Sequence, residues 1–344
     1  MQGTFSSRRS RKINHGLLAA GVAGVCIAAA PGAAKAAILF QDNFTNGSTL
    51  NGTSTPSGGN STSYDIASSK NQSPASSIAA NDLKFGLAAS TSAVEEAQAV
   101  WTTSPVVLNV GETLDYQVTF TNTGLLLSGA SASSQISFGL YSSGGTPPIT
   151  GLNNSLGLAN TQTNAATGGT QLWDGYTVQY FAPTGKNKIV TRPQQSGATQ
   201  TNTDQDLIGN NASASSTYAN PAGAAVQTSS PTGSNLVTAT QYFNDMSISL
   251  TSAGTYEILS NLYQGSSSAG TFITSTEADG VTALNFFSSL DSLAIGYRQT
   301  TSAVSELDVS LITISLNTAP LPEPASIGLL ALGGSALLAR RRRK

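Results

Sequence analysis

Residues 114–122 read LDYQVTFTN. Leu114, Tyr116, Val118 and Phe120 fall on one side of an extended chain, and Asp115, Gln117, Thr119 and Thr121 on the other. A period of two with one apolar face predicts a half-buried strand. The pattern recurs in both directions. Residues 135–141 carry Ile136, Phe138 and Leu140, residues 175–183 carry Tyr176, Val178 and Tyr180, and residues 244–251 carry Met246, Ile248 and Leu250. Residues 256–264, 292–299 and 307–317 continue it. In the last, the apolar phase slips by one between Leu311 and Ile312, which predicts a bulge. Shorter strands are expected at 36–42, 83–87, 98–103 and 106–110.

Ten or more strands with no amphipathic helix predict an all-β body over residues 37–318, folded as an antiparallel two-sheet β-sandwich of jelly-roll type. Segments 46–63, 151–169 and 194–234 are rich in Gly, Ser, Thr, Asn and Pro and read as long polar loops. The last is long enough to be either functional or without fixed order. No fixed-period repeat points to a propeller or solenoid.

The two ends differ in kind from the body. Residues 1–15 hold Arg8, Arg9, Arg11 and Lys12, residues 16–31 are small and apolar, and Ala34-Lys35-Ala36 follows. Charged segment, short apolar segment and A-x-A site predict a secretory signal peptide over 1–36, helical in its apolar part, with Ala34 and Ala36 read by signal peptidase. At the other end, residues 325–339 are without charge. A helix of that length spans roughly 22 Å, short of a bilayer core of about 30 Å. Pro322 and Pro324 suit its start. Arg340, Arg341, Arg342 and Arg343 would stay on the cytoplasmic side, leaving the body outside.

Pro322-Glu323-Pro324, the apolar run 327–339 and the arginines 340–343 resemble the PEP-CTERM sorting signal of exopolysaccharide-producing Gram-negative bacteria. The resemblance covers residues 320–344 alone. It implies an exosortase-type protease that processes the chain near Pro322, transient retention in the inner membrane, and delivery to the cell surface or extracellular matrix. In that family the tail is also called an "ice-binding protein C-terminal domain", a name that describes the tail and implies nothing about the body.

With the ends set aside, the body holds six basic residues against seventeen acidic ones, a net charge of about −11. That excludes nucleic acid as an expected partner. The single cysteine, Cys26, and the single histidine, His15, both precede residue 37. The body therefore has no Ser-His-Asp triad, cysteine nucleophile, His/Cys metal site or disulfide. A chain of this size can be held by its core alone.

The stretch 40–44, FQDNF, the strand 293–298, LAIGYR, and Leu307-Asp308-Val309 are similar to the opening and closing strands of concanavalin-like, laminin-G-like jelly rolls. That resemblance implies pairing of the first and last strands and a capacity for ligand without naming one.

Candidate sites follow from residue chemistry. Trp173, Asp174 and Tyr176 have the make-up of a sugar-stacking platform with a carboxylate at its edge, and equally of a packed sheet edge. Trp101, after Ala97, Ala99 and Val100, reads as core. Glu95 and Glu96 are the only adjacent acids, and neighbours on a strand point to opposite faces, so this pair is no glycosidase dyad. The E-x-D-x-x-E motif of jelly-roll glycosidases is absent. Calcium is the metal the composition admits, with Asp204 and Asp206, or Glu277 and Asp279 in a turn at 276–280, as the best oxygen clusters. No cofactor is expected. The sequence thus predicts an exported, non-catalytic surface or matrix protein with exopolysaccharide as its ligand. A secreted two-carboxylate polysaccharide enzyme and a calcium-dependent adhesion module are the alternatives.

Overall fold

The computed structural model describes residues 36–52, 56, 59–68, 75–87, 93–123, 134–148, 170, 173–192, 207–208, 231–282, 289–299 and 304–318. The signal-peptide helix, Ala34, the sorting motif Pro322-Glu323-Pro324, the tail helix and the arginines 340–343 lie outside them. Among the described residues no helix is long and apolar enough to cross a membrane.

Fifteen strands cross the described residues: β1 (Ala37–Asp42), β2 (Thr49–Leu50), β3 (Ser63–Ser68), β4 (Ser77–Ala79), β5 (Asp82–Leu87), β6 (Ala93–Val100), β7 (Thr113–Asn122), β8 (Gln135–Ser142), β9 (Asp174–Phe181), β10 (Lys188–Arg192), β11 (Thr240–Ser252), β12 (Thr255–Gln264), β13 (Thr271–Thr282), β14 (Ser292–Gln299) and β15 (Ser305–Asn317). They form two sheets. The first runs β13-β12-β11-β7-β15-β5-β4, with β1 also on β15, and the second runs β10-β9-β8-β14-β6-β3-β2. Pairing is antiparallel except for the short β2–β3 ladder. The protein is an all-β, antiparallel two-sheet sandwich.

The alternation of residues 114–120 sets this arrangement. Leu114, Tyr116, Val118 and Phe120 are fully buried. They face the second sheet, where Ile136, Phe138 and Leu140 of β8 and Leu293, Ile295 and Tyr297 of β14 are buried likewise. The Phe120 and Phe138 rings meet across the sheets with centroids 5.3 Å apart. Burying each such side chain contributes about 1.5–3 kcal/mol. Polar bridges also cross the core. The Tyr180 hydroxyl bonds to Ser260 Oγ at 2.8 Å, and Ser260 Oγ donates to Asn244 Oδ1 at 3.0 Å.

The first and last strands pair, Ala37 opposite Leu316 and Asp42 opposite Ile312. Further back, the same edge of β15 takes β5, Leu83 opposite Val309. The expected bulge lies at this changeover. Val309 opposes Phe120 and Leu311 opposes Thr119, so Ser310 is the extra residue.

Four readings need correction. Segment 46–63 is not all loop, because it contains β2 and leads into β3. Its serines and glycines hide the alternating Tyr64 and Ile66, both fully buried. Residues 106–110 are no strand and make one bridge, Val106 to Leu290. β6 begins at Ala93 rather than 98. Residues 276–280 are not a turn but part of β13, whose inward positions Thr274, Thr276 and Ala278 are too small to mark an apolar face.

Candidate functional site

Trp173, Asp174 and Tyr176 do not form an exposed platform. Trp173 and Tyr176 are fully buried, and Asp174 is nearly so. Trp173 Nε1 donates to the Thr146 carbonyl at 3.1 Å, and its ring lies 6.1 Å from that of Tyr141. Tyr176 packs against Tyr256 inside the sandwich, with centroids 6.2 Å apart. Burial pushes the Asp174 carboxyl up to about 6, with Asp291 adding to the rise and Arg192 opposing it. The packed-edge alternative therefore accounts for this group. Trp101 is core. Ala36 is exposed at the start of the described chain.

Glu95 and Glu96 diverge as strand geometry requires. Glu95 accepts from the Tyr297 hydroxyl at 2.7 Å on the core side. Glu96 points to the outer face of the second sheet, where it accepts from Gln98 Nε2 at 2.6 Å and from the Leu207 amide at 3.1 Å. Asp65 sits opposite Gln98, so it lies diagonal to Glu96 on that face. A diagonal places the two backbones roughly 7–8 Å apart, and Glu96 is already engaged by two donors.

The outer face of the first sheet carries the accessible chemistry. Along β12, Glu257, Leu259, Asn261 and Tyr263 alternate outward and are half-buried. At one end, one carboxylate oxygen each from Glu257, Glu277 and Asp279 lie within 4.8 Å of one another. A bulge makes this cluster. Tyr256 opposes Val281 while Ile258 opposes Ala278, so Asp279 and Gly280 together face Glu257. Gly280 takes the positive φ of 66° that the extra residue demands. The Asp279 charge, then burial, then the Glu257 charge push the Glu277 carboxyl above its ordinary range. Like charges brought together favour the protonated form. Of the sequence-predicted oxygen clusters, Glu277 and Asp279 are joined here by Glu257, which only strand pairing could bring in. Asp204 and Asp206 lie outside the described residues.

At the other end of the same face, Phe243, Tyr263 and Phe272 stand side by side on β11, β12 and β13. The Phe243–Tyr263 centroids are 6.2 Å apart, and Tyr263 meets Phe272 edge-on at 5.7 Å. Phe272 is 56% exposed, whereas Phe243 is buried. From Glu257 to Tyr263 the face runs roughly 20 Å at strand rise. Nearby, Gln117 Nε2 donates to Asp245 Oδ1 at 3.1 Å. Burial, and then the Asp245 charge, push Asp115 up to about 6 against the bond it receives from Asn317. This face was not legible in the sequence. Its only outward sign is a lone aromatic, Phe272, in a polar run.

No protein-family model matches this chain, and no curated protein matches it. Solved structures with a similar course exist at low similarity. Peanut lectin bound to a nine-residue peptide is 9% identical over 83% of this chain and 98% of the lectin, with a TM-score of 0.37. An endo-1,3-beta-glucanase from Streptomyces sioyaensis is 10% identical over 83% and 97%, with a TM-score of 0.35. A protein of unknown function from Shewanella oneidensis MR-1 is 12% identical over 75% and 78%, with a TM-score of 0.33. The fold description rests on this chain's own strand pairing, not on these likenesses.

Proposed function

We propose that this chain is an exported, non-catalytic surface or matrix protein. It carries a signal peptide ending at Ala36 and a PEP-CTERM sorting tail at 320–344, and it binds an extended polysaccharide along the outer face of the first sheet. The observation that carries the binding site is the aromatic row Phe243-Tyr263-Phe272 with its exposed end ring. A pyranose offers an apolar face to such a ring and hydroxyls to the amide and carboxylate groups beside it. Asn261, Gln117 and Asp245 supply those groups on the neighbouring strands. The missing histidine and cysteine, and the donors already held by Glu95 and Glu96, favour binding over catalysis.

The test is retention on the host's exopolysaccharide. Phe272→Ala, which removes an exposed ring at little cost to the core, is expected to weaken retention about tenfold, the worth of one stacked ring at about 1–1.5 kcal/mol. Retention unchanged by both Phe272→Ala and Tyr263→Ala ends this placement of the site.

The converging carboxylates favour a second reading, a calcium site at Glu257, Glu277 and Asp279. In that case the melting temperature rises with added calcium and falls with a chelator, and Glu277→Gln abolishes the difference. A melt that ignores both additions removes it.

A further inference from the structure

The outer face of the second sheet holds a layer of polar side chains that are not exposed. Glu96, Gln135, Thr177 and Gln179 are fully buried, as is Tyr141. Polar groups are buried at a cost unless each finds a partner. Here one partner is a dipeptide, Leu207-Ile208, which belongs to no strand and sits between β10 and β11 in the chain.

The contacts are directed at its main chain. The Leu207 amide donates to Glu96. The Leu207 carbonyl accepts from the Tyr141 hydroxyl at 2.8 Å and from Thr177 Oγ1 at 3.3 Å. The Ile208 carbonyl accepts from Gln135 Nε2 at 2.5 Å and from Gln179 Nε2 at 3.1 Å. One N–H and two C=O groups are thus met by five side chains from β6, β8 and β9. The two aliphatic side chains join Tyr141, Trp173 and Ala294 in an apolar cluster on the same face. Ile208 Cδ1 occupies the space that a side chain at Gly296 would fill.

We propose that this face is a built receptor for an extended peptide with two adjacent aliphatic residues. Leu207-Ile208 fills it in cis, and a second copy of this chain can fill it in trans with the same dipeptide. The contacts read main-chain groups and two aliphatic shapes, and every copy presents both. The dipeptide is joined to the body by residues 193–206 on one side and 209–230 on the other, and the shorter arm, fully extended, reaches roughly 50 Å. That exceeds the radius of gyration of about 19 Å expected for a domain this size. Exchange of such a segment joins copies without any new contact surface.

The probe is a labelled peptide of residues 203–212, TDQDLIGNNA. Full chain carrying Leu207→Ser with Ile208→Ser is expected to bind it at least tenfold tighter than the unsubstituted chain, whose receptor is filled. A peptide with Asp at both aliphatic positions is expected not to bind. A variant that melts cooperatively yet binds the probe no better than the unsubstituted chain overturns the receptor. If that variant does not fold, hydrogen exchange of the Leu207 amide in the unsubstituted chain decides. Saturating peptide is expected to speed it at least tenfold, and an unchanged rate overturns the receptor. For the second copy, differently tagged chains are refolded together. Co-purification that excess peptide reverses is expected, and chains that stay apart overturn exchange in trans.

Discussion

Asp115 and Asp174 are both pushed up to about 6, chiefly by burial. With no histidine after residue 15, carboxylates dominate titration between pH 5 and 7. A raised carboxyl binds its proton more tightly folded than unfolded. Each such group therefore contributes stability that is complete below its unfolded value near 4 and lost as pH rises through about 6. Burial raises Glu306 and Asp82 as well, with the same sign. The melting temperature is expected to rise as pH falls from 7.5 to 5, and Asp115→Asn with Asp174→Asn to flatten that slope. Calorimetry across the range checks it, and a profile that falls toward pH 5 contradicts it. At this scale the sequence was legible where chemistry alone decides. The divergence of Glu95 and Glu96 follows from strand geometry. The burial of Trp173 does not, because aromatic beside carboxylate describes a ligand platform and a packed edge equally well.

β15 shows how far a single element can be read. Its slip in apolar phase is visible in the sequence, and the structure puts the extra residue at Ser310, one position earlier than the slip suggests. Leu307 and Val309 face the core before it, Ile312 and Ile314 after it. Deleting Ser310 keeps both sets on the core face, whereas deleting Gln117 from β7, whose pairing with β11 has no bulge to absorb the loss, turns Val118 and Phe120 to the opposite face from Leu114 and Tyr116. Chain lacking Ser310 is accordingly expected to fold and melt cooperatively, and chain lacking Gln117 to lose its cooperative transition. Two deletion variants compared by circular dichroism test this, and equal behaviour of the pair defeats the argument. β13 marks the limit. Its inward residues are small and its outward ones polar, so nothing in its composition separates a strand from a loop. Pairing with β12 makes it a strand. Its two bulges, at Ile273 and at Asp279-Gly280, break the regularity of the sheet's edge.

For the molecule as a whole, export is the reading that the termini carry. Mass spectrometry of protein recovered from medium and envelope is expected to find a mature chain beginning at Ala37 and ending near Pro322. Intact chain from Met1 to Lys344 in the cytosol of an export-competent cell contradicts it. Charge segregation supports the reading, since ten of the sixteen basic residues lie in the two terminal segments and leave an acidic body.

Local patterns reached as far as the all-β class and most of the strands; the lack of histidine and cysteine after residue 26 is composition, and the address segments are proposed from the terminal patterns. Each depends only on residue type and spacing along the chain. Tertiary structure decided which strands are neighbours. Only that placed Glu257 beside Glu277 and Asp279, lined up Phe243, Tyr263 and Phe272, and seated Leu207-Ile208 on the second sheet. These groups are tens to more than a hundred residues apart or on separate strands. Cross-strand proximity is set by register and sheet order, which depend on how all the faces are buried together.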